Sequence, residues 1–198
     1  TLSGTVNKTG ISLFLVIISA GYTWGNPAMH VMMLPAGIIG FILALATVFK
    51  PTIGHITVPA YAVAQGILLG VISMYFNTMF PGIVVQAVFL TFGTLGALLL
   101  AYKSGLIAAT ENFKLGVAAA TGGIAILYLI NFVMGFFGSG SGIISSNNNM
   151  GILFSGFVVV IAALNLVLDF DFIEEGAEMG APKYMEWYGA FGLLVTLI

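Results

Sequence analysis

The chain has no cysteine and no arginine, and its 198 residues carry only 5 lysines and 7 acidic side chains. Without cysteine there is no disulfide, no thiolate metal site and no thiol nucleophile, and the redox compartment leaves no mark on the sequence. The shortage of charge excludes more. A soluble globular domain holds about 25% charged residues, whereas this chain holds 6%. So few charges cannot keep the surface of a 20.7 kDa soluble protein in water. A soluble enzyme, a nucleic-acid binder and a disordered chain are excluded together. What fills the sequence instead is hydrophobic residues, at 60%, with a mean hydropathy of +1.12. This is the composition of an integral membrane protein, whose first partner is the lipid bilayer.

The charges divide the chain into neutral tracts over 9–49, 51–102, 115–168 and 187–198. A membrane-crossing helix needs about 20 apolar residues to cover about 30 Å of hydrocarbon, so each of the first three tracts holds two spans and a turn. Helix-breaking residues mark the turns: Gly25-Asn26-Pro27, Asn77 to Gly82, and Ser139 to Asn149. The predicted spans cover about 10–24, 30–49, 57–76, 82–102, 115–137, 150–170 and 184–198. Runs such as Ile11 to Ala20 do not alternate, so they read as helix and not as barrel strand. The expectation is an all-α membrane protein, a seven-transmembrane helix bundle forming a single domain over 1–198. The opening without Met and the stop within a span read as trimmed ends. Tyr22-Thr23-Trp24 is a poor cleavage site for a secretory signal.

Seven spans place Lys8, Lys50, Lys103, Lys114 and Lys183 on one side of the membrane, and all seven acids with them. The positive-inside rule makes that side the cytoplasm, with the N-terminus inside and the C-terminus outside. Small residues recur at helical spacing: Gly21/Gly25, Ala36/Gly40, Gly66/Gly70, Gly116/Ala120 and Gly189/Gly192. In lipid, such residues let helix backbones approach closely, either within one bundle, the reading favoured here, or between two copies of the chain. Trp24, Tyr22, Trp187, Tyr184 and Tyr188 fall near predicted helix ends, where interfacial aromatics belong.

Motifs of catalysis are missing: no H-E-x-x-H, no G-x-G-x-x-G after a strand and no G-K-S/T loop. His30 and His55 fall at opposite ends of their spans and cannot share a metal. No enzyme and no organic cofactor is expected. The informative stretch runs from Asn165 to Glu178 and gathers Asp169, Asp171, Glu174, Glu175 and Glu178 at the cytoplasmic end of span 6. Asp169 still lies within the apolar run, with Asn165 one turn earlier on the same face. An acid at the bilayer centre costs about 2.5–3.5 kcal/mol, so such a residue turns toward the bundle interior or a wet cavity. Should the helix continue, Asp171 faces Glu174 and Glu175. Crowded carboxylates disfavour one another's ionisation, and an oxygen-rich cluster suits a hard cation such as Ca²⁺. Asp169 and Asp171 are the candidate metal ligands; with Asn165, Glu174 and Glu175 they form the candidate pH- and ion-sensing group. The amides Gln65, Gln86 and Asn131 lie at membrane depth, where they line a polar path or bond between helices.

This layout resembles the Bax inhibitor/YccA family, the transmembrane Bax inhibitor motif family. The likeness rests on an acid at the end of the sixth span and on the run Asp169 to Gly180, followed by Tyr184 and Trp187. Ala177-Glu178-Met179-Gly180, eight residues past Asp169, matches the family's Ala-Glu-x-Gly turn. Val6 to Gly10 with Tyr22-Thr23-Trp24 resembles the bacterial Bax-inhibitor-like branch. The resemblance implies six helices around a central seventh, a bacterial inner-membrane setting, and a pH-sensitive Ca²⁺ leak in which a span-6 Asp pairs with a second Asp on span 7. Asp169 matches the first. The second has no counterpart, because the count along span 7 reaches Leu194 to Thr196, none of them acidic. Thr196 can bond to a carboxylate without supplying a charge; Asp171 and Glu186 are the alternative partners. The resemblance also implies a second role, as a non-conducting regulator that binds a membrane-anchored protease of the FtsH type.

Overall fold

The computed structural model of the chain describes residues 1–136 and 149–198. Among them are seven α-helices: α1 (Leu2–Trp24), α2 (Met33–Phe49), α3 (Gly54–Met79), α4 (Ile83–Lys103), α5 (Glu111–Phe136), α6 (Asn149–Glu178) and α7 (Tyr184–Leu197). Short 3₁₀ segments, Pro27–Met32 and Pro51–Ile53, lead into α2 and α3, each opened by a proline whose missing N–H costs nothing there. Among the described residues, six helical segments are long and apolar enough to cross a membrane. The helix α7 has 14 residues, about 21 Å at 1.5 Å per residue. Large apolar side chains such as Phe14, Phe41, Phe89, Leu90 and Leu100 stand exposed, which a lipid-facing surface tolerates and a water-facing one does not. The protein is an integral membrane protein built from helices.

Two helices outrun their predicted spans by eight residues at one end. The helix α1 begins at Leu2 and carries Lys8 within it, because no proline interrupts Val6 to Gly10 and Lys8 finds a partner described below. The helix α6 continues past the apolar run to Glu178. It stops there for a local reason. The Gly180 N–H bonds to the Ala177 carbonyl and the Ala181 N–H to the Gly176 carbonyl, while Gly180 takes φ +66°. This pairing, closed by a left-handed residue, is the Schellman helix stop, so the Ala-Glu-x-Gly turn is a chain-reversal device. Replacing Gly180 by Ala should cost about 1–2 kcal/mol, read as a lower melting temperature in detergent with unchanged helix content. The predicted turn at Ser139–Asn149 lies outside the described residues, apart from Asn149, which opens α6.

The sequence predicts one domain; by packing, the chain divides into two compact units, residues 1–94 with 169–198, and residues 95–168. In the first unit α3 is the platform for α1, α2 and α7. Its glycines explain the fit. A Cβ at Gly66 would lie 2.6 Å from the Val16 carbonyl oxygen, and one at Gly70 would lie 2.8 Å from Thr23 Cβ, so α1 and α3 touch backbone to backbone. The hydroxyls on this face bond within their own helix, Ser19 to the Leu15 carbonyl at 2.6 Å and Thr23 to the Ser19 carbonyl at 2.5 Å. These two hydroxyls are thereby satisfied without reaching across to α3. Gly40 seats α2 against Ala64 and Gln65, and Thr47 donates to Thr57 across α2 and α3 at 2.7 Å. Val58, Tyr61, Ala62, Val16, Phe191 and Leu194 form the apolar core. A Cβ at Gly21 or Gly116, in contrast, would have no neighbour within 4 Å among the described residues.

In the second unit, the Asn165 amide of α6 donates to Thr121 of α5 at 2.8 Å. Tyr128 and Phe154 stack with centroids 6.4 Å apart, and Val117, Leu166 and Val167 are buried.

Candidate functional site

The site is built where the last turns of α6 meet α7. Because α6 stays helical through Glu178, its 3.6-residue period separates its acids onto two sides. Asp169 and Ile173 share one face. Asp171, Glu174 and Glu175 share another. The first face meets a strip of small residues on α7: a Cβ at Gly189 would stand 3.0 Å from Ile173, and a Cβ at Gly192 would stand 3.2 Å from Asp169 Oδ1. One turn further on, the Thr196 hydroxyl donates to Asp169 Oδ2 at 2.6 Å. Gly189, Gly192 and Thr196 thus form one stripe, and the two glycines bring α7 close enough for the threonine to reach. A hydrogen bond to a charged oxygen is shorter and stronger than one between neutral groups. Asp169 is half-buried and turned to α7, as an acid within an apolar run requires.

The predicted companions are distributed differently. Asn165 does not serve Asp169: its amide donates to Thr121 and to the Ile161 carbonyl, both at 2.8 Å. Asp169 and Asp171 are two residues apart on one helix and leave it in different directions. Among the described residues no three His, Asp or Glu side chains gather as a metal cage. Glu174 and Glu175 are exposed, and Asp171 is half-buried. Gln65 packs at Gly40, Gln86 is exposed on α4, and Asn131 is half-buried on α5. His30 and His55 are exposed, in the 3₁₀ segment before α2 and at the start of α3.

A second polar cluster lies at the beginning of α7. Glu186 is buried, accepts from the Thr1 hydroxyl at 2.8 Å, and forms an ion pair with Lys8 of α1. Its carboxylate fills the space that a Cβ at Gly4 would need. The Lys8 ammonium also stands 5.6 Å from the Trp187 ring centroid, close enough for a cation–π contact. Sequence reasoning placed Glu186 beside the turn before α7 and offered it as an alternative partner for Asp169, and it missed the pairing with Lys8. The one available signal was that both residues fall on the same predicted side of the membrane.

A bundle of apolar helices, with an inward acid of α6 held by α7, defines a class of helical integral membrane protein whose polar site lies between α6 and α7. The chain belongs to the Bax inhibitor 1 like family, whose family model matches residues 1–198. No curated protein and no solved structure matches the chain.

Proposed function

We propose that the protein is a pH-sensitive Ca²⁺ leak pathway, or a Ca²⁺- and H⁺-responsive bundle, of a bacterial inner membrane, with its N-terminus in the cytoplasm and Asp169 as its sensor. One observation carries this reading: the Asp169 carboxylate faces inward and is held by Thr196 of α7 at 2.6 Å. A charged carboxylate favours that contact. Protonation weakens it, and a cation arriving at Oδ2 competes with the hydroxyl for the same oxygen. Either event changes the relative energy of two α7 positions, which is how a ligand shifts a two-state equilibrium. Asp171, Glu174 and Glu175 would act as an acidic mouth that raises the local cation concentration.

The test is flux into liposomes loaded with a Ca²⁺ indicator, comparing wild type with Asp169→Asn across pH. We expect a pH-dependent flux in the wild type and a flat profile in the variant. No flux, or flux indifferent to the substitution and to pH, overturns the reading. One observation favours a second role: Thr196 stands where a second acid would be needed, leaving one carboxylate for a divalent cation that prefers six or more oxygens. Under that reading the protein is a non-conducting regulator bound to a membrane-anchored protease of the FtsH type. Mild extraction from native membranes would then retain the protease in stoichiometric amount, and a clean preparation of this chain alone would count against it.

A further inference from the structure

The helix α7 is held at two polar points, ten residues apart on one short rod: Glu186 at its start and Thr196 near its end. Between them its fit to α6 is uneven. From Gly189 onward the stripe Gly189–Gly192–Thr196 packs directly on Ile173 and Asp169. Below Gly189 a cleft of about 140 Å³ opens, lined by Thr5, Ile173, Gly176, Met179, Met185 and Glu186. The first turn of α7 is therefore not packed tightly against α6. Its other sides are fastened: a Cβ at Gly54 of α3 would stand 3.2 Å from Trp187 Cβ, and on α1 Lys8 bonds to Glu186 and lies over Trp187, with the Glu186 carboxylate resting against Gly4.

From this arrangement we propose that Lys8 and Glu186 form a clasp that fixes the tilt of α7 and thereby keeps Thr196 on Asp169, so that opening the clasp on one face of α7 exposes the acid on another. The coupling needs no chain of intermediates. A 14-residue helix moves as a rigid rod, the cleft leaves room for its first turn to shift, and Gly189 at the edge of the cleft is the point about which it tips. The clasp concerns what holds α7 in place and stands whether or not an ion crosses the protein.

Reaction of Asp169 with dicyclohexylcarbodiimide in native-like membranes reads the proposal directly, because the reagent partitions into apolar surroundings and modifies carboxyl groups it can reach. Labelling at Asp169 is measured by peptide mass spectrometry relative to Glu178 in the same sample. Lys8→Gln and Glu186→Gln should each raise the relative rate at least about fivefold, comparable to Thr196→Val, which removes the shielding bond itself. The exchange variant K8E/E186K, which rebuilds the pair with reversed charge, should return it to the wild-type rate. The exchange variant also separates loss of the clasp from a general loss of fold, since a merely damaged protein is not rescued by a second change. If the two clasp variants label at the wild-type rate while Thr196→Val labels faster, the coupling does not exist. An exchange variant that labels as fast as the single variants overturns it as well. Because no flux is measured, failure here is distinct from failure of the ion-pathway reading.

Discussion

Gly66→Leu is expected to abolish the folded protein, while Gly93→Leu is tolerated. At Gly66 a new Cβ would meet the Val16 carbonyl oxygen at 2.6 Å and overlap the Ser19 hydroxyl of α1, whereas a Cβ at Gly93 would meet nothing from another helix within 4 Å among the described residues. Overpacking a core usually costs about 1–3 kcal/mol because side chains shift aside. At Gly66 the obstruction includes helix backbone, which cannot move without separating α1 from α3. Membrane helices gain most of their association energy from such close van der Waals packing, so the loss has no apolar compensation. Size-exclusion chromatography in mild detergent should show Gly93→Leu as a monodisperse peak and Gly66→Leu as aggregate. A monodisperse, normally melting Gly66→Leu would refute the α1–α3 contact.

The second large effect is expected from Thr196→Asp. The Thr196 oxygen lies 2.6 Å from Asp169 Oδ2, so the substitution sets two carboxylates against each other. Two like charges at about 4 Å repel by roughly 4 kcal/mol at an intermediate effective dielectric, less where water screens them. For a chain of this size each kcal/mol is worth about 2–4 °C in melting temperature. In calcium-free buffer above pH 7 the variant should therefore melt roughly 5–15 °C below wild type. Added Ca²⁺ bridges the two carboxylates, so millimolar CaCl₂ should recover most of that loss and shift the wild type, with its single acid, much less. A variant indifferent to Ca²⁺ would mean that positions 169 and 196 do not converge.

Much of this protein is legible along the chain because membrane spans are a local property. Apolar runs between charges mark the helices, and Gly, Pro and Asn mark the turns. Asp169 stands out within an apolar run with no reference to any other helix. The Ala177–Gly180 turn is likewise visible, and its role as a helix stop follows from one glycine that takes a positive φ. Boundaries were harder. The polar start of α1 and the acidic end of α6 read as loops by hydropathy, yet both are helical, since α1 pairs Lys8 with Glu186 and the α6 acids follow without a helix breaker. Small-residue spacing was ambiguous for the same reason. Gly66/Gly70 and Gly21/Gly25 look alike in sequence, but among the described residues the first pair meets another helix and the second does not.

By itself, then, the sequence determined the class of protein, the order of its helices and the one acid out of place, because each depends on residues within a few turns. Only the tertiary structure decided what that acid touches. Asn165, one turn away, is taken by Thr121, whereas Thr196, on another helix, supplies the hydrogen bond. Lys8 likewise finds Glu186 from the far end of the chain. Such pairings depend on which faces of two helices meet, and that is set by where glycines allow backbones to touch. The periodicity of one helix carries no record of the helix beside it.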